Sequence, residues 1–167
     1  MSYNYKKLLS EIPDEIHAAK FLQKFGILHE ERICCGIKMR PYEKKNLGKF
    51  IPQWRCSSCH SQKGVRAGTW LDPFKLPLVT IIEFIYWWSR ENTSMKFCEF
   101  ELGMNHNTTV DWSMYMREAC ASFILQHQGM IGGHGLHVEI DESLFTKRYS
   151  LFLFFKIWAL ENPTLVG

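Results

Sequence analysis

The sequence contains no long hydrophobic run. A membrane-spanning helix needs roughly 18 apolar residues, whereas the longest apolar stretch, Tyr149–Leu160, is shorter and includes Lys156. Residues 1–7 also lack the apolar stretch of a signal peptide. We therefore expect a protein that is not secreted and has no membrane partner, located in the nucleus of a eukaryote or otherwise in the cytoplasm.

Charge is scarce overall and unevenly distributed. Charged residues make up 22% of the chain and aromatic residues 14%, which excludes an intrinsically disordered polymer. The net charge is only +3, but residues 37–66 contain eight basic residues and one acid, Glu43, and so carry +7. Such a block is typical either of a phosphate-contacting module or of a solvated lysine-rich loop. Charge alone does not decide between them.

Six cysteines in a protein that is not secreted are better interpreted as metal ligands or core residues than as disulfides. Cys56 and Cys59 form a CxxC knuckle, and a pair of cysteines about 20 residues upstream suits a zinc ribbon. Those upstream residues are adjacent, so we expect their side chains to diverge and one of them to be a weak ligand or no ligand. The candidate zinc ligands are Cys34, Cys35, Cys56 and Cys59, with His60 or His29 as a substitute.

Two short strands are predicted beside the cysteines. Lys49–Arg55 indicates a strand that leads into the CxxC knuckle, and Arg66–Trp70 resembles the strand that returns from it. Four reduced cysteines without a metal are the alternative. A redox CxxC is disfavoured because no βαβ pattern surrounds it.

The middle of the chain predicts three helices. Asp72-Pro73 is expected to open the first, whose apolar residues recur at three- and four-residue spacing. Ser94 can cap a second helix, Met95–Leu102, which Gly103 ends. A third helix is expected from Asn107 or Thr108 to about residue 126. The predicted core residues are Leu78, Ile81, Ile82, Ile85, Trp88, Cys98, Trp112, Met116, Ala119, Cys120 and Phe123.

A short helix, a glycine turn and a longer helix outline a helix-turn-helix motif. In that motif the N-terminal residues of the last helix meet base edges. The pattern alone favours a plain three-helix bundle with a polar helix end. The polar residues placed to contact DNA are Asn105, His106, Asn107, Thr108 and Thr109.

An alternating segment follows the glycines at 132–135. Residues 136–142 alternate between apolar and polar side chains, which predicts a strand with His137, Glu139 and Asp141 on one face. Carboxylates on a strand can hold Mg²⁺. A polar solvent-exposed face is the alternative, and the spacing does not decide between them.

The order of these features resembles one family more closely than any single feature does. The segments that carry the resemblance are Trp54–Cys59, Arg66–Trp70, Thr109–Trp112, Arg117–Cys120 and Val138–Phe145. Together they resemble the Merlin-type DDE transposases, relatives of the ISXO-type insertion-sequence transposases. The chain departs from that family in the adjacent Cys34 and Cys35, and again after Arg148, where a basic stretch is expected.

The resemblance implies an α+β chain that binds double-stranded DNA at transposon ends. It implies a small zinc-ribbon-like β module, a three-helix helix-turn-helix-like bundle and an incomplete RNase-H-like β-hairpin. The corresponding segments are 1–28 (N-terminal helical or linker segment), 29–70 (zinc ribbon), 72–130 (helical DNA-binding region) and 134–167 (start of the RNase-H-like domain). Phosphate contacts are expected from Lys44, Lys45, Lys49, Lys63 and Arg66.

Catalysis is not expected of this chain. In the family, the residue matching Asp141 is the first carboxylate of a Mg²⁺-dependent site that cleaves and joins phosphodiester bonds. Downstream of Glu142 the sole carboxylate side chain is that of Glu161, and one carboxylate cannot hold two metals. The alternatives are a non-functional transposon relic, or a segment that is active only when complemented by a full-length transposase. The expected protein partners are that transposase or, in a homo-oligomer, further copies of this chain. We further expect Tyr149–Leu160 to pair as a second strand with Leu136–Phe145.

Overall fold

The helical and strand-forming segments of the sequence become a mixed α+β fold in the computed structural model, which describes residues 4–46 and 48–126. Within these residues there are five helices and two small antiparallel sheets. The elements are α1 (Tyr5–Glu11), α2 (Glu15–Lys24), β1 (Ile33–Cys34), β2 (Ile37–Lys38), β3 (Arg40–Asn46), β4 (Lys49–Arg55), β5 (Gln62–Gly64), α3 (Leu78–Trp88), α4 (Met95–Leu102) and α5 (His106–Gln126).

Capping residues set the ends of the helices, as the sequence predicts for α4. The Ser94 hydroxyl accepts a hydrogen bond from the Phe97 N–H at 3.3 Å, which satisfies one free donor of the first turn. Gly103 follows the helix with φ +62°, a left-handed conformation that side chains disfavour. The prediction of a helix over Met95–Leu102 is confirmed at both ends.

The predicted start of the first bundle helix is wrong. Asp72-Pro73 lies in a turn, and α3 begins only at Leu78. Pro77 directly precedes the helix, and a proline disfavours helical backbone in the residue before it, here Leu76. The core stripe of this helix is otherwise confirmed, with Leu78, Ile81, Ile82 and Ile85 buried and Trp88 half-buried.

The predicted return strand over Arg66–Trp70 is also wrong, since these residues form turns. Backbone hydrogen bonds close the turns, from Ala67 N–H to Gly64 O and from Thr69 N–H to Arg66 O. The Thr69 hydroxyl donates a further bond to Arg66 O at 2.6 Å. The strand that returns from the CxxC knuckle is β5, a few residues earlier. The predicted strand Lys49–Arg55 is confirmed as β4.

The larger sheet packs against α2 through its central strand. Its order is β3-β4-β5, with every pair antiparallel. Trp54 in β4 is 4% exposed, and α2 contacts this strand. The small sheet is the β1-β2 hairpin, which leads directly into β3.

Buried side chains from the larger sheet and from all five helices form one hydrophobic cluster, and the partly buried Cys34 of the small sheet packs against it. Trp112 of α5 lies near its centre, with ring centroids 5.1 Å from Phe74, 5.8 Å from Trp70 and 6.2 Å from Phe84. The predicted core residues of α4 and α5 are all buried at least in part. Cys98, Trp112 and Met116 are buried, whereas Ala119, Cys120 and Phe123 are half-buried.

Some sequence predictions concern residues that the structure does not describe. The strand over residues 136–142, Asp141 and Tyr149–Leu160 lie outside the described residues, as does segment 134–167 as a whole. Among the helices of residues 4–46 and 48–126, none combines the length and apolar character needed to cross a membrane.

The Glu15 carboxylate connects α2 to the start of α3. Its two oxygens accept hydrogen bonds from the N–H groups of Leu78 and Val79 at 3.0 and 3.1 Å. Pro77, at the cap position, supplies no side-chain hydrogen bond, so Glu15 acts as the cap from a distant part of the chain. The Arg66 guanidinium lies 3.9 Å from the same carboxylate.

Replacing Glu15 with alanine should destabilise the fold. The change removes two charge-assisted hydrogen bonds from a helix end, and we expect a loss of about 1–2 kcal/mol in the free energy of unfolding. Urea denaturation followed by circular dichroism measures this. The control is Glu99→Ala on the exposed side of α4, which should change the midpoint little. Equal midpoints for the two variants would contradict the role of Glu15.

Candidate metal centre and nucleic-acid interface

A two-residue hairpin turn positions the first pair of cysteines. Cys34 pairs with Ile37 across β1 and β2, so that Cys35 and Gly36 alone form the loop. Both loop residues have positive φ, +52° and +75°, which is the requirement of a type I′ turn. The left-handed backbone at Cys35 turns its thiol toward that of Cys34, and the two sulfurs are 3.8 Å apart. The expectation that these adjacent side chains diverge is therefore wrong.

The CxxC knuckle supplies the other two thiols. The Cys56 N–H donates to Ser61 O at 3.0 Å and closes the loop, while His60 adopts a left-handed φ of +58°. Cys59 Sγ lies 3.2 Å from Ser61 Oγ and 3.6 Å from Cys34 Sγ. The two knuckles therefore face each other.

The four sulfur atoms have the spacing of a metal site. All four lie within 4.8 Å of one another. Four thiolates at about 2.3 Å from a tetrahedral zinc ion would be about 3.8 Å apart, close to the shorter distances observed here. The cluster consists of Cys34, Cys35, Cys56 and Cys59; among the described residues, neither His60 nor His29 belongs to it. These four cysteines could hold a metal ion and are compatible with zinc.

Hydrogen bonds within the cluster give two of its thiols very different pKa values. Hydrogen bonds from the Ser61 side chain and backbone lower the pKa of Cys59 to about 6. Hydrogen bonds to Cys59 and Cys34 raise the pKa of Cys35 to about 12. One thiolate therefore forms readily and opposes ionisation of its neighbour. Full ionisation of the cluster needs a cation, which a bound metal supplies.

The predicted phosphate-contacting residues occupy different environments. Lys44, Lys45 and Lys63 are exposed, and Lys49 begins β4. Arg66 differs from the expectation of a free surface cation. Its guanidinium donates to Phe74 O at 2.7 Å and Leu76 O at 2.6 Å, and its side chain is 19% exposed. Arg66 therefore holds the chain that leads into α3.

The polar residues at the start of α5 also divide into two groups. His106 and Asn107 are exposed. Asn105 is the cap, since its side-chain oxygen accepts from the Thr108 N–H at 2.8 Å. Thr109 is 1% exposed, and its hydroxyl donates to Asn105 O at 3.0 Å, so it faces the core. Thr108 is half-buried beside a cleft of about 340 Å³.

The sequence interpretation did not single out two further cations, Arg40 and Arg55. Their Cα atoms are direct partners across β3 and β4. The two-residue period of the strands places both on the same face as Lys44. Period and register together could have identified them, but the register is known only from the fold.

The chain matches no family model, no curated protein and no solved structure. The functional interpretation consequently depends on the residues and the geometry described above.

The two exposed cysteines of the cluster should differ in reactivity. At pH 7 in metal-free protein, Cys59 is mainly thiolate and Cys35 is thiol, because their pKa values are about 6 and about 12. We expect iodoacetamide to modify Cys59 initially more than about tenfold faster than Cys35. Peptide mass spectrometry measures both rates.

The rate at which iodoacetamide labels Cys59 should fall as the pH is lowered. Because the pKa of Cys59 is lowered, its thiolate persists until the pH falls through about 6, and labelling at pH 5 should be about tenfold slower than at pH 7. Added Zn²⁺ should protect both residues. Equal initial rates for Cys35 and Cys59 at pH 7 would contradict the arrangement of hydrogen bonds in the cluster.

Proposed function

We propose that this chain is a transposase-derived DNA-binding protein. One observation carries the proposal: an exposed, polar start of α5 follows a short helix and a left-handed glycine turn, in a fold that also presents a cationic sheet. The resemblance to the Merlin-type transposases supports the same interpretation. The proposed ligand is double-stranded DNA, with transposon ends as the specific sites.

The helices α4 and α5 serve as the helix-turn-helix in this proposal. The start of α5 enters the major groove, where His106 and Asn107 reach base edges. An asparagine can form two hydrogen bonds with adenine, which makes Asn107 the better candidate for base readout. The free N–H groups of the first helical turn favour a nearby phosphate.

The four cysteines hold zinc in this proposal, and the zinc has a structural role. The first two lie in the β1-β2 hairpin, which leads into β3, and Cys56 directly follows β4. A metal bound by all four would therefore tie together both ends of the β3-β4 hairpin. It would hold the cationic sheet in place and take no part in chemistry on DNA.

Binding, not cleavage, is the proposed activity. Asp141, the residue that matches the first catalytic carboxylate of the family, lies outside the described residues. Neither it nor a Mg²⁺ ion therefore contributes to the proposal. Cations of the sheet, among them Lys44, supply phosphate contacts, and α5 supplies sequence preference.

Purified protein should contain about one zinc ion per chain. The Cys56→Ser variant should lose it because the substitution removes a buried ligand of the cluster. Metal analysis by mass spectrometry measures the ratio. Cys120→Ser changes a half-buried cysteine outside the cluster and should retain the zinc. Stoichiometric zinc in Cys56→Ser, or failure of the reconstituted wild-type protein to bind zinc, would contradict the proposed ribbon.

The Asn107→Ala variant should bind its DNA site more weakly. Selection from a randomised duplex library first defines the preferred site. Loss of a base contact should then cost about 1–3 kcal/mol, or about 5- to 150-fold in affinity, and relax the preference at one position. Fluorescence anisotropy measures the affinity.

The matched control is Asn92→Ala. Asn92 is an exposed asparagine between α3 and α4, outside the proposed helix-turn-helix, and its replacement should change the affinity less than twofold. A library that yields no enriched sequence, or equal losses for both variants, would contradict readout by α5.

A further inference from the structure

The larger sheet, formed by β3, β4 and β5, has one face turned away from α2. Trp54 is buried on the side of α2, so Gln53 and Arg55 beside it in β4 point to the opposite side. The register places Arg40 opposite Arg55 and Lys44 opposite Ile51. We call this side the outer face; its residues are Arg40, Tyr42, Lys44, Ile51, Gln53, Arg55, Gln62 and Gly64.

The outer face is cationic and contains no acid. Arg40, Lys44 and Arg55 lie on it, whereas the single acidic residue of the sheet, Glu43, lies on the other side. No salt bridge to these three cations is found among the described residues. Arg40 and Arg55 are direct cross-strand partners, and like charges in that position destabilise a sheet. A bound anion would remove this repulsion.

The Arg55 guanidinium is held in place without being neutralised. It lies over the Tyr42 ring, 5.3 Å from the centroid, which fixes its plane. No hydrogen bond from it to a described residue is found, and its Nε is buried without a partner. Arg66 provides a contrast within the same chain, since its guanidinium binds two carbonyls. The two terminal nitrogens of Arg55, which have no hydrogen bond to a described residue, are therefore the atoms that can bind an external ligand.

The spacing of the cations suits an extended polyanion. Arg40 and Lys44 lie four residues apart on one strand, a separation of about 13 Å, and Arg55 is on the neighbouring strand. Arginine presents a planar fork of donors that matches phosphate oxygens. We infer that the outer face is the surface on which a nucleic-acid backbone lies, with Arg40, Lys44 and Arg55 contacting phosphates. This inference rests on the proposed DNA binding and specifies the face that is used.

The lysines on the opposite side provide a matched control. Lys45 and Lys63 are exposed, like Arg40 and Lys44, but the register places them on the side of Trp54. The variants Arg40→Gln/Lys44→Gln and Lys45→Gln/Lys63→Gln therefore each remove two positive charges from the same sheet. An effect of net charge alone would be equal in the two variants, whereas contact through the outer face would separate them.

The experiment is a salt titration of both double variants with a fluorescent 30-base-pair duplex. Each phosphate contact contributes about 0.9 to the slope of log affinity against log salt concentration. The outer-face variant should therefore lose about 1.8 from the slope and bind more than about tenfold more weakly at low salt. The sequence alone predicts phosphate contacts for Lys45 and Lys63 too, but they lie on the other side of the sheet, so the Lys45/Lys63 variant should keep the wild-type slope. Zinc content and urea midpoints show that both variants are folded.

The outcomes that overturn the inference differ from those that overturn the proposed function. Equal slopes in the two variants would refute the outer face, while DNA binding and its loss in Asn107→Ala could still hold. Retained DNA affinity in a folded outer-face variant would do the same. If the wild-type protein binds polyglutamate through this face and does not bind duplex DNA, an acidic protein is the partner, and both proposals fail.

Discussion

The Glu15 carboxylate joins parts of the chain that are far apart in sequence. It caps α3 through two backbone N–H groups and lies 3.9 Å from the Arg66 guanidinium. That guanidinium binds the carbonyls of Phe74 and Leu76, in the segment before the helix. The α2 helix, which carries Glu15, also contacts the strand that contains Trp54. This partly buried junction therefore connects the sheet to the helical bundle, and the position of each proposed DNA-binding surface depends on it.

The cysteine cluster shows how a tight turn can substitute for a longer knuckle. A CxxC loop uses two intervening residues to bring its thiols together. Here Cys35 itself adopts the left-handed conformation of the first loop position, and Gly36 adopts that of the second. A left-handed non-glycine residue is unfavourable by about 1–2 kcal/mol, and metal binding by the resulting cluster would offset that cost.

The cations of residues 37–66 have two separate roles. Arg66 is structural because the chain before α3 needs hydrogen-bond donors for its carbonyls. Arg40, Lys44 and Arg55 have no salt bridge among the described residues and share one face, and so are available to an external anion. Sequence counting treats all of these residues alike, since each contributes one positive charge. What distinguishes Arg66 from the other three cations is its hydrogen-bond partners within the protein, since all four carry the same charge.

Local sequence was sufficient to predict an element wherever a single local signal governed its conformation. The Ser94 cap and Gly103 determined α4, and the spacing of Cys56 and Cys59 identified a knuckle. Sequence failed where a distant residue or a cross-strand partner decided the outcome. Leu76 and Pro77 delay α3, while Glu15, more than 60 positions earlier in the chain, supplies its cap. The strand register divides the cations of the larger sheet between its two faces. Only the packing of α2 on Trp54 determines which of these faces remains open, because burial depends on contacts between distant segments.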